Sequence, residues 1–280
     1  MMRPARIVDR QIWREGGLSP GSRSIPEETA VALTYNGATY AVMMTTPQDL
    51  EDFAVGFSLS EGIIGCSADI DSLHIVRLDD GVELRMWLSQ PKADRLQQRR
   101  RHIAGPTGCG LCGIESIAEV MRPAAVIGQR QHFSAEQIMI AMQNLPLLQK
   151  LNIETRAVHA AAFWNPSSGI VALREDVGRH NALDKLSGAL ARTSIVASEG
   201  IILLTSRVSV EMVQKSAAIG APAMVSVSAP TALAVRMADA AGITLAAIAR
   251  ADGFEVFTHP CRISYRPFAN VGPANSKMSG

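Results

Sequence analysis

Residues 201–249 read IILLTSRVSVEMVQKSAAIGAPAMVSVSAPTALAVRMADAAGITLAAIA, and their punctuation decides the fold class. Ile201 to Leu204 is an uninterrupted apolar run of strand length, and Val210 to Ile219 has helical spacing. Ala223 to Val227 is again a short apolar strand, Leu233 to Ala241 a helix, and Ile243 to Ala249 a strand. Working outward, Phe254 to Thr258 predicts a last strand. Upstream, Ala160 to Trp164 and Ile170 to Leu173 are strands joined by Asn165-Pro166-Ser167-Ser168-Gly169, with a helix near Asn181 to Leu190. Strands apolar along their whole length, alternating with helices, indicate an α/β protein whose mostly parallel sheet is covered on both faces.

The first half is patterned differently. Val31, Leu33 and Tyr35 alternate with small or polar residues, and Asn36-Gly37 supplies a type I′ turn into a return strand, Ala38 to Met44. A helix follows, with Thr46 as its cap, Pro47 in its first turn and Leu50, Phe53, Ala54 and Phe57 on one face, stopped at Gly62. A second hairpin turns at Asp80-Gly81, between Leu73 and Ile75 on one side and Val82, Leu84, Met86 and Leu88 on the other. Residues 91–101 carry one lysine and four arginines, either a solvated helix face or a basic approach to an anionic ligand or acidic partner. A helix is expected over Ile114 to Met121, and Ser134 with Gln137 forms a capping box for another reaching Leu145. The organisation expected is a loose leader over 1–24, an α+β part over 25–135 rich in β-hairpins, an α/β core over 136–265 and a flexible tail over 266–280.

Composition sets the outer limits. The chain has 280 residues, 47% of them hydrophobic, enough for a substantial core. A net charge of +1 gives no whole-molecule field toward nucleic acid or membrane. Met1 to Glu15 holds four arginines and no apolar run, so no signal peptide is expected, and no stretch approaches the roughly 18 apolar residues of a spanning helix. Four cysteines, Cys66, Cys109, Cys112 and Cys261, do not form a secreted disulfide framework; a cytoplasmic location is expected.

The strongest chemical feature is Gly105-Pro106-Thr107-Gly108-Cys109-Gly110-Leu111-Cys112-Gly113. Four glycines leave room beside both sulfurs, and a helix start just beyond would lower a thiol pKa. Half a zinc site, a dithiol switch and persulfide transfer all fit this pair, and the loop alone does not choose among them. A second polar motif runs from Arg174 to Lys185, where a strand gives way to a helix, the usual place for a ligand in an α/β sheet. Arg179 could fork a phosphate, His180 and Asn181 could read a base or pterin edge, and Gly178 could admit a ligand to the backbone. The bland alternative is a buried salt-bridge network in which Asp176 and Asp184 hold Arg179 and Lys185. His159 is either structural or a neighbour of this site, and Ser228 and Thr231 either cap a helix or hold phosphate.

Several blocks, in order, carry a resemblance over about Glu27 to Ile263. They are Asn36-Gly37 with Thr46-Pro47-Gln48-Asp49-Leu50, Ser60-Glu61-Gly62-Ile63, the cysteine loop, His159-Ala160-Ala161, Arg174 to Lys185, Glu211-Met212-Val213-Gln214-Lys215 and Ser228-Ala229-Pro230-Thr231. In these the chain resembles the formate dehydrogenase accessory sulfurtransferases, the FdhD-like family. It departs from the family pattern at Ala157 and at Thr205-Ser206-Arg207. The resemblance implies a cytidine-deaminase-like three-layer α/β/α core and a homodimer. It implies a cytoplasmic sulfur carrier that accepts persulfide sulfur on Cys109, with Cys112 assisting, from a cysteine desulfurase. The sulfur would pass to molybdenum bis-guanine-dinucleotide cofactor, bound as substrate, and serve formate dehydrogenase; no permanent cofactor and no metal are implied. The family's cofactor segment falls on Phe254, Glu255, Val256, Phe257, Thr258 and His259, with Arg179, His180 and Asn181 as further candidates. Two other functions compete: a non-catalytic chaperone for the cofactor, and a zinc-dependent deaminase-like hydrolase. The hydrolase is disfavoured because the cysteine pair precedes His159 and Ala161 stands where a general-acid glutamate is needed.

Overall fold

The computed structural model describes residues 2–89, 92, 123–128 and 131–265. The cysteine loop, the helix expected over Ile114 to Met121, the basic stretch apart from Lys92, and residues 266–280 lie outside the described residues.

Two sheets organise the chain. The smaller contains β3 (Thr29–Tyr35), β4 (Ala38–Thr45), β5 (Ile70–Leu78) and β6 (Gly81–Leu88) in the order β4-β3-β6-β5. Asn36 and Gly37 both have positive φ, as the expected type I′ turn requires. Val31, Leu33, Val82, Leu84 and Met86 point to one face and are buried there against Phe53 and Phe57 of α1 (Leu50–Ser60). That helix starts later than the sequence suggests. Its N-cap is Asp49, in the left-handed region at φ 53°, rather than Thr46. Thr46 and Pro47 are buried ahead of the helix because tertiary contacts claim Thr46.

The larger sheet has six strands in the order β13-β12-β11-β10-β8-β9. They are β8 (His159–Asn165), β9 (Gly169–Asp176), β10 (Ile201–Leu204), β11 (Ala223–Ser226), β12 (Thr244–Arg250) and β13 (Gly253–Val256). Helices α4 (Arg179–Arg192), α5 (Val210–Ile219) and α6 (Ala232–Ala240) cover one face, and α2 (Ala135–Leu148) covers the other. The three-layer α/β/α arrangement is therefore present, but the sheet is mixed rather than mostly parallel. Only β10–β11 and β11–β12 pair in parallel, while β8–β9, β8–β10 and β12–β13 are antiparallel. The reason is loop length: Pro166–Ser168 and Ala251–Asp252 are too short to cross over and must fold back as hairpins. The capping box at Ser134 and Gln137 forms at the start of α2, which continues past Pro146. A short α3 (Lys150–Thr155) follows, and β7 (Phe133–Ser134) pairs with β14 (Ile263–Ser264). Among the described residues no helix is long and apolar enough to cross a membrane.

Residues 1–24 are not a loose leader. β1 (Ala5–Arg14) and β2 (Gly17–Pro26) pair through ten consecutive antiparallel positions around a Glu15-Gly16 turn with positive φ at both residues. Their polar, glycine- and proline-bearing composition hid the strands, because neither has an apolar face buried in its own chain.

What joins the two sheets is α1, which packs between the smaller sheet and α4. A Cβ on Gly56 would fall inside the backbone carbonyl of Asp184, and one on Gly188 inside that of Asp52. Only glycine permits this approach. Gly188→Ala should therefore destabilise, although alanine is the better helix former by about 1 kcal/mol. Denaturant unfolding should show a loss of about 1–3 kcal/mol or more, the cost of forced overpacking; a gain would mean that the helices can part freely.

Candidate functional site

The Arg174–Lys185 motif crosses the turn from β9 into α4, and most of its charge points inward. Asp176 is fully buried. Its Oδ2 accepts from the Thr45 hydroxyl, from Thr46 N at 3.0 Å and from Lys185 Nζ at 2.6 Å. Its Oδ1 accepts from Gly178 N at 2.7 Å and Asn181 Nδ2 at 3.1 Å. Lys185, also fully buried, donates to Thr46 O at 2.8 Å. Burial pulls its pKa down, and the Asp176 charge holds it back up. The Asn181 amide is consumed by Asp176 and by Met44 O, and Gly178 lies against that amide rather than against open space.

The remaining charges are similarly occupied. Glu175 caps α3 by accepting from Leu151 N and Asn152 N, both at 2.8 Å. Arg174 and Arg192 converge on Asp52 of α1. Asp184 accepts from Ser60 at 2.7 Å and pairs with Lys215 of α5, not with Arg179. The buried-network reading thus accounts for Arg174, Glu175, Asp176, Asn181, Asp184 and Lys185.

Arg179 and His180 stand apart. Both open α4, beside the carboxyl end of the parallel strands. Arg179 Nε is buried without a hydrogen-bond partner. His180 Nε2 lies 2.7 Å from Glu211 Oε2 in the first turn of α5, yet lacks the alignment of a directed hydrogen bond. Ser209, the N-cap of α5, also has a buried hydroxyl without a partner. His159 starts β8 at this same end, since β8 runs antiparallel to β10. Burial and then the Arg179 charge lower its pKa, against the opposing pull of Asp176. Burial likewise lowers that of His180. His180 opens onto a cleft of about 270 Å³ between α1, α4 and α5, lined also by Phe57, Ser60, Asp184 and Lys215. Thr231 serves as the cap of α6, accepting from Ala234 N at 3.2 Å.

The Phe254–His259 segment occupies a different corner. β13 forms the sheet edge opposite β9 and runs antiparallel to β12, so its end reaches the amino side of the parallel strands. Phe254 packs on the core and Glu255 and Phe257 are exposed. Thr258 is buried, donating to Ile243 O at 2.6 Å and accepting from Leu245 N at 2.9 Å. His259 sits 2.9 Å from Asp239 O. Within one chain the structure does not bring Thr258 and His259 together with Arg179 and His180.

Sequence reasoning missed Ile248, a β-branched residue at φ 54° within a register shift of β12. Nothing in its residue type signals that conformation. Cys66 and Cys261 are exposed and unpaired, and among the described residues no cluster of three or more His, Cys, Asp or Glu side chains could hold a metal.

The mixed α/β fold and the order of its motifs define a class. The profile of the FdhD/NarQ family matches residues 26–264, and the chain belongs to that family. It is 51% identical over 259 residues to the sulfur carrier protein FdhD of Agrobacterium fabrum, covering 92% of this chain and 96% of that protein. It is 48% identical over 260 residues to the protein of the same name from Brucella abortus, covering 92% and 97%. The crystal structure of a candidate formate dehydrogenase accessory protein from Desulfotalea psychrophila superposes with a TM-score of 0.74 at 25% identity, covering 94% of this chain and all of that one.

Two outcomes follow from the buried groups. Lys185→Met leaves Asp176 as an uncompensated buried carboxylate, and calorimetry should show a loss of about 3–5 kcal/mol. His159 has a lowered pKa in the folded chain, so the unfolded chain takes up its proton first. Stability should fall as pH drops below about 6.5 toward the lower folded value, and His159→Gln should flatten that slope in melting curves from about pH 7 to about pH 5; an unchanged slope would remove His159 from the acid response.

Proposed function

We propose that this protein is a cytosolic sulfur carrier. It takes sulfane sulfur from a cysteine desulfurase as a persulfide on Cys109 and delivers it to the molybdenum bis-guanine-dinucleotide cofactor for formate dehydrogenase. The observation that carries this reading is the 51% identity, over nearly the whole length, to a protein named for sulfur carriage, in a chain whose one paired-cysteine motif is flanked by glycine.

The chemistry balances with the chain's own two thiols. The Cys109 thiolate attacks the outer sulfur of the donor persulfide; the donor S–S bond breaks and the donor cysteine leaves as thiolate. Delivery reverses the polarity. The Cys112 thiolate attacks Cys109 Sγ, the terminal sulfur leaves as hydrosulfide for the cofactor, and a Cys109–Cys112 disulfide remains for a cellular dithiol to reduce. The two thiol sulfurs lose two electrons and the sulfane sulfur gains them. A reducing cytosol suits a carrier whose thiols must return to the free state. Arg179, with a buried Nε that has no hydrogen-bond partner at a helix start, is suited to an anionic group of the cargo, and His180, beside the Glu211 carboxylate, is suited to a neutral polar edge of it. Asn181 is not, because its amide is already used. The Phe254–His259 segment, on a separate corner, would meet a different part of the cargo.

Incubation with a desulfurase and cysteine should add one sulfur atom to the intact mass of the wild-type chain and none to Cys109→Ala. The same variant should leave formate dehydrogenase activity at background in cells lacking their own copy. If Cys109→Ala with Cys112→Ala still matures the enzyme, the chain is a cofactor chaperone and not a carrier.

A further inference from the structure

The two ring nitrogens of His180 have different surroundings. Nε2 is buried, 2.7 Å from Glu211 Oε2. Nδ1 has no hydrogen-bond partner among the described residues, and 27% of the side chain stays accessible. With Nε2 covered, the edge that carries Nδ1 is what the ring offers to the cleft of about 270 Å³ that it lines.

The Glu211 contact decides which nitrogen carries the proton. At 2.7 Å a bare ring nitrogen would set its lone pair against those of a carboxylate, which only accepts. Nε2 therefore holds the hydrogen. Burial lowers the pKa of His180; Glu211 pulls it back up, Arg179 and Lys215 press it down, and Asp184 raises it. The net fall leaves the ring neutral near pH 7. A neutral imidazole with its hydrogen on Nε2 keeps a lone pair on Nδ1. The walls of the cleft point the same way. Ser60, Glu61, Asp184 and Glu211 bring acceptor oxygens to it, and Lys215 is already bound to both oxygens of Asp184, at 2.7 and 2.9 Å. Phe57 and Met43 give it an apolar wall. Acceptors dominate this cleft, so an anion is a poor occupant. Its volume also falls below the ~300 Å³ of a drug-sized pocket, which suits one planar ring and not a whole dinucleotide.

We propose that Glu211 is the positioning residue of His180: it holds the hydrogen on Nε2, so that Nδ1 accepts from the 2-amino group of a 2-amino-4-oxopyrimidine edge, which guanine and pterin share. The site then selects its ring by polarity. A ring with an oxygen or nothing in place of the amino group leaves Nδ1 unpaired, and the site discriminates against it. This deepens the sulfur-carrier reading and rests on it for the identity of the cargo.

The test uses the full chain, isotope-labelled, in long-range proton–nitrogen spectra of the histidine rings, with His180→Gln locating the His180 signals. At about pH 7.5, above the ordinary histidine pKa, the wild type should carry its hydrogen on Nε2. Glu211→Gln keeps an acceptor oxygen and should keep that tautomer; Glu211→Ala should mix the two. Glu211 is 52% exposed, so circular dichroism should show both variants folded. Calorimetry then reads the ring edge. Guanosine diphosphate should bind about tenfold tighter than inosine diphosphate, which lacks the amino group, or pterin tighter than lumazine by the same factor, the worth of one hydrogen bond. The pair that responds tells guanine from pterin. Glu211→Ala should bring this ratio toward one and Glu211→Gln should restore it, which a merely structural role would not do. A hydrogen on Nδ1 in the wild type would overturn the proposal. So would a ratio that Glu211→Ala leaves unchanged, or no binding of either amino-bearing probe. Failure of the carrier reading is seen separately, as no sulfur added to Cys109 by mass.

Discussion

The structure depends on one buried carboxylate. Asp176 ends β9, and its two oxygens accept five hydrogen bonds, from the end of β4, from the strand–helix turn and from α4. Removing a carboxylate and an ammonium from water is costly, and a hydrophobic pair of the same volume could be as stable. What Asp176 and Lys185 add is geometry. They fix the β4–α1 connection on the turn that leads into α4, so the smaller sheet and the larger one meet in a single register. They also fix the first turn of α4, and with it the positions of Arg179 and His180. A packing device and a candidate ligand-binding device therefore share twelve residues.

That sharing explains why the motif could not be resolved from its charges alone. Counting acids and bases does not show which point inward. The phase does. Asn181, Asp184, Lys185 and Gly188 recur at i, i+3, i+4 and i+7, the stripe that faces α1 and the β4–α1 connection, while Leu183, Leu186 and Leu190 form the stripe buried against the sheet. On α1 the matching stripe is Asp52, Gly56 and Ser60, whose partners are Arg192, Asp184 and Gly188. A glycine in phase with polar residues on each of two helices signals a close polar crossing. Arg179 stands one turn before Leu183, at the solvent end of the leucine stripe, and His180 falls between the two stripes; they are the two that the network leaves over.

The α/β half was legible for the opposite reason. Its strands are apolar on both faces and its helices have one wet side, so Val210 to Ile219 has the same bounds in the sequence reading and in the structure. The hairpin in the smaller sheet was legible because Asn36-Gly37 encodes its turn locally. Failures came where distant residues decide. The start of α1 moved because Asp176, far along the chain, claims Thr46 N. Sheet direction was misjudged because apolar content reports burial and is silent on whether a short loop folds back. The arm escaped notice because its strands are polar, carry glycine and proline, and bury no apolar face. The site itself was only half legible: motif order located it, but which of its residues had spare hydrogen-bonding capacity is a three-dimensional property.

Compromise is concentrated at one edge of the larger sheet. Of the five buried polar atoms left without a directed hydrogen bond among the described residues, those of Arg179, His180 and Ser209 lie at the carboxyl side of the parallel strands. The left-handed Ile248 lies on that side too, beyond the last paired residue of β11, where its N–H reaches toward Ser228 O at 3.4 Å. A β-branched residue held there costs on the order of 1–3 kcal/mol and persists only where its surroundings impose it. Local rules are met through most of the sheet and its helices. They are broken together where helix starts, an arginine and two histidines converge. Folding stability alone gives no reason for such clustering, whereas a ligand that brings its own acceptors to that edge would relieve the unpaired donors and leave the rest of the fold as it is.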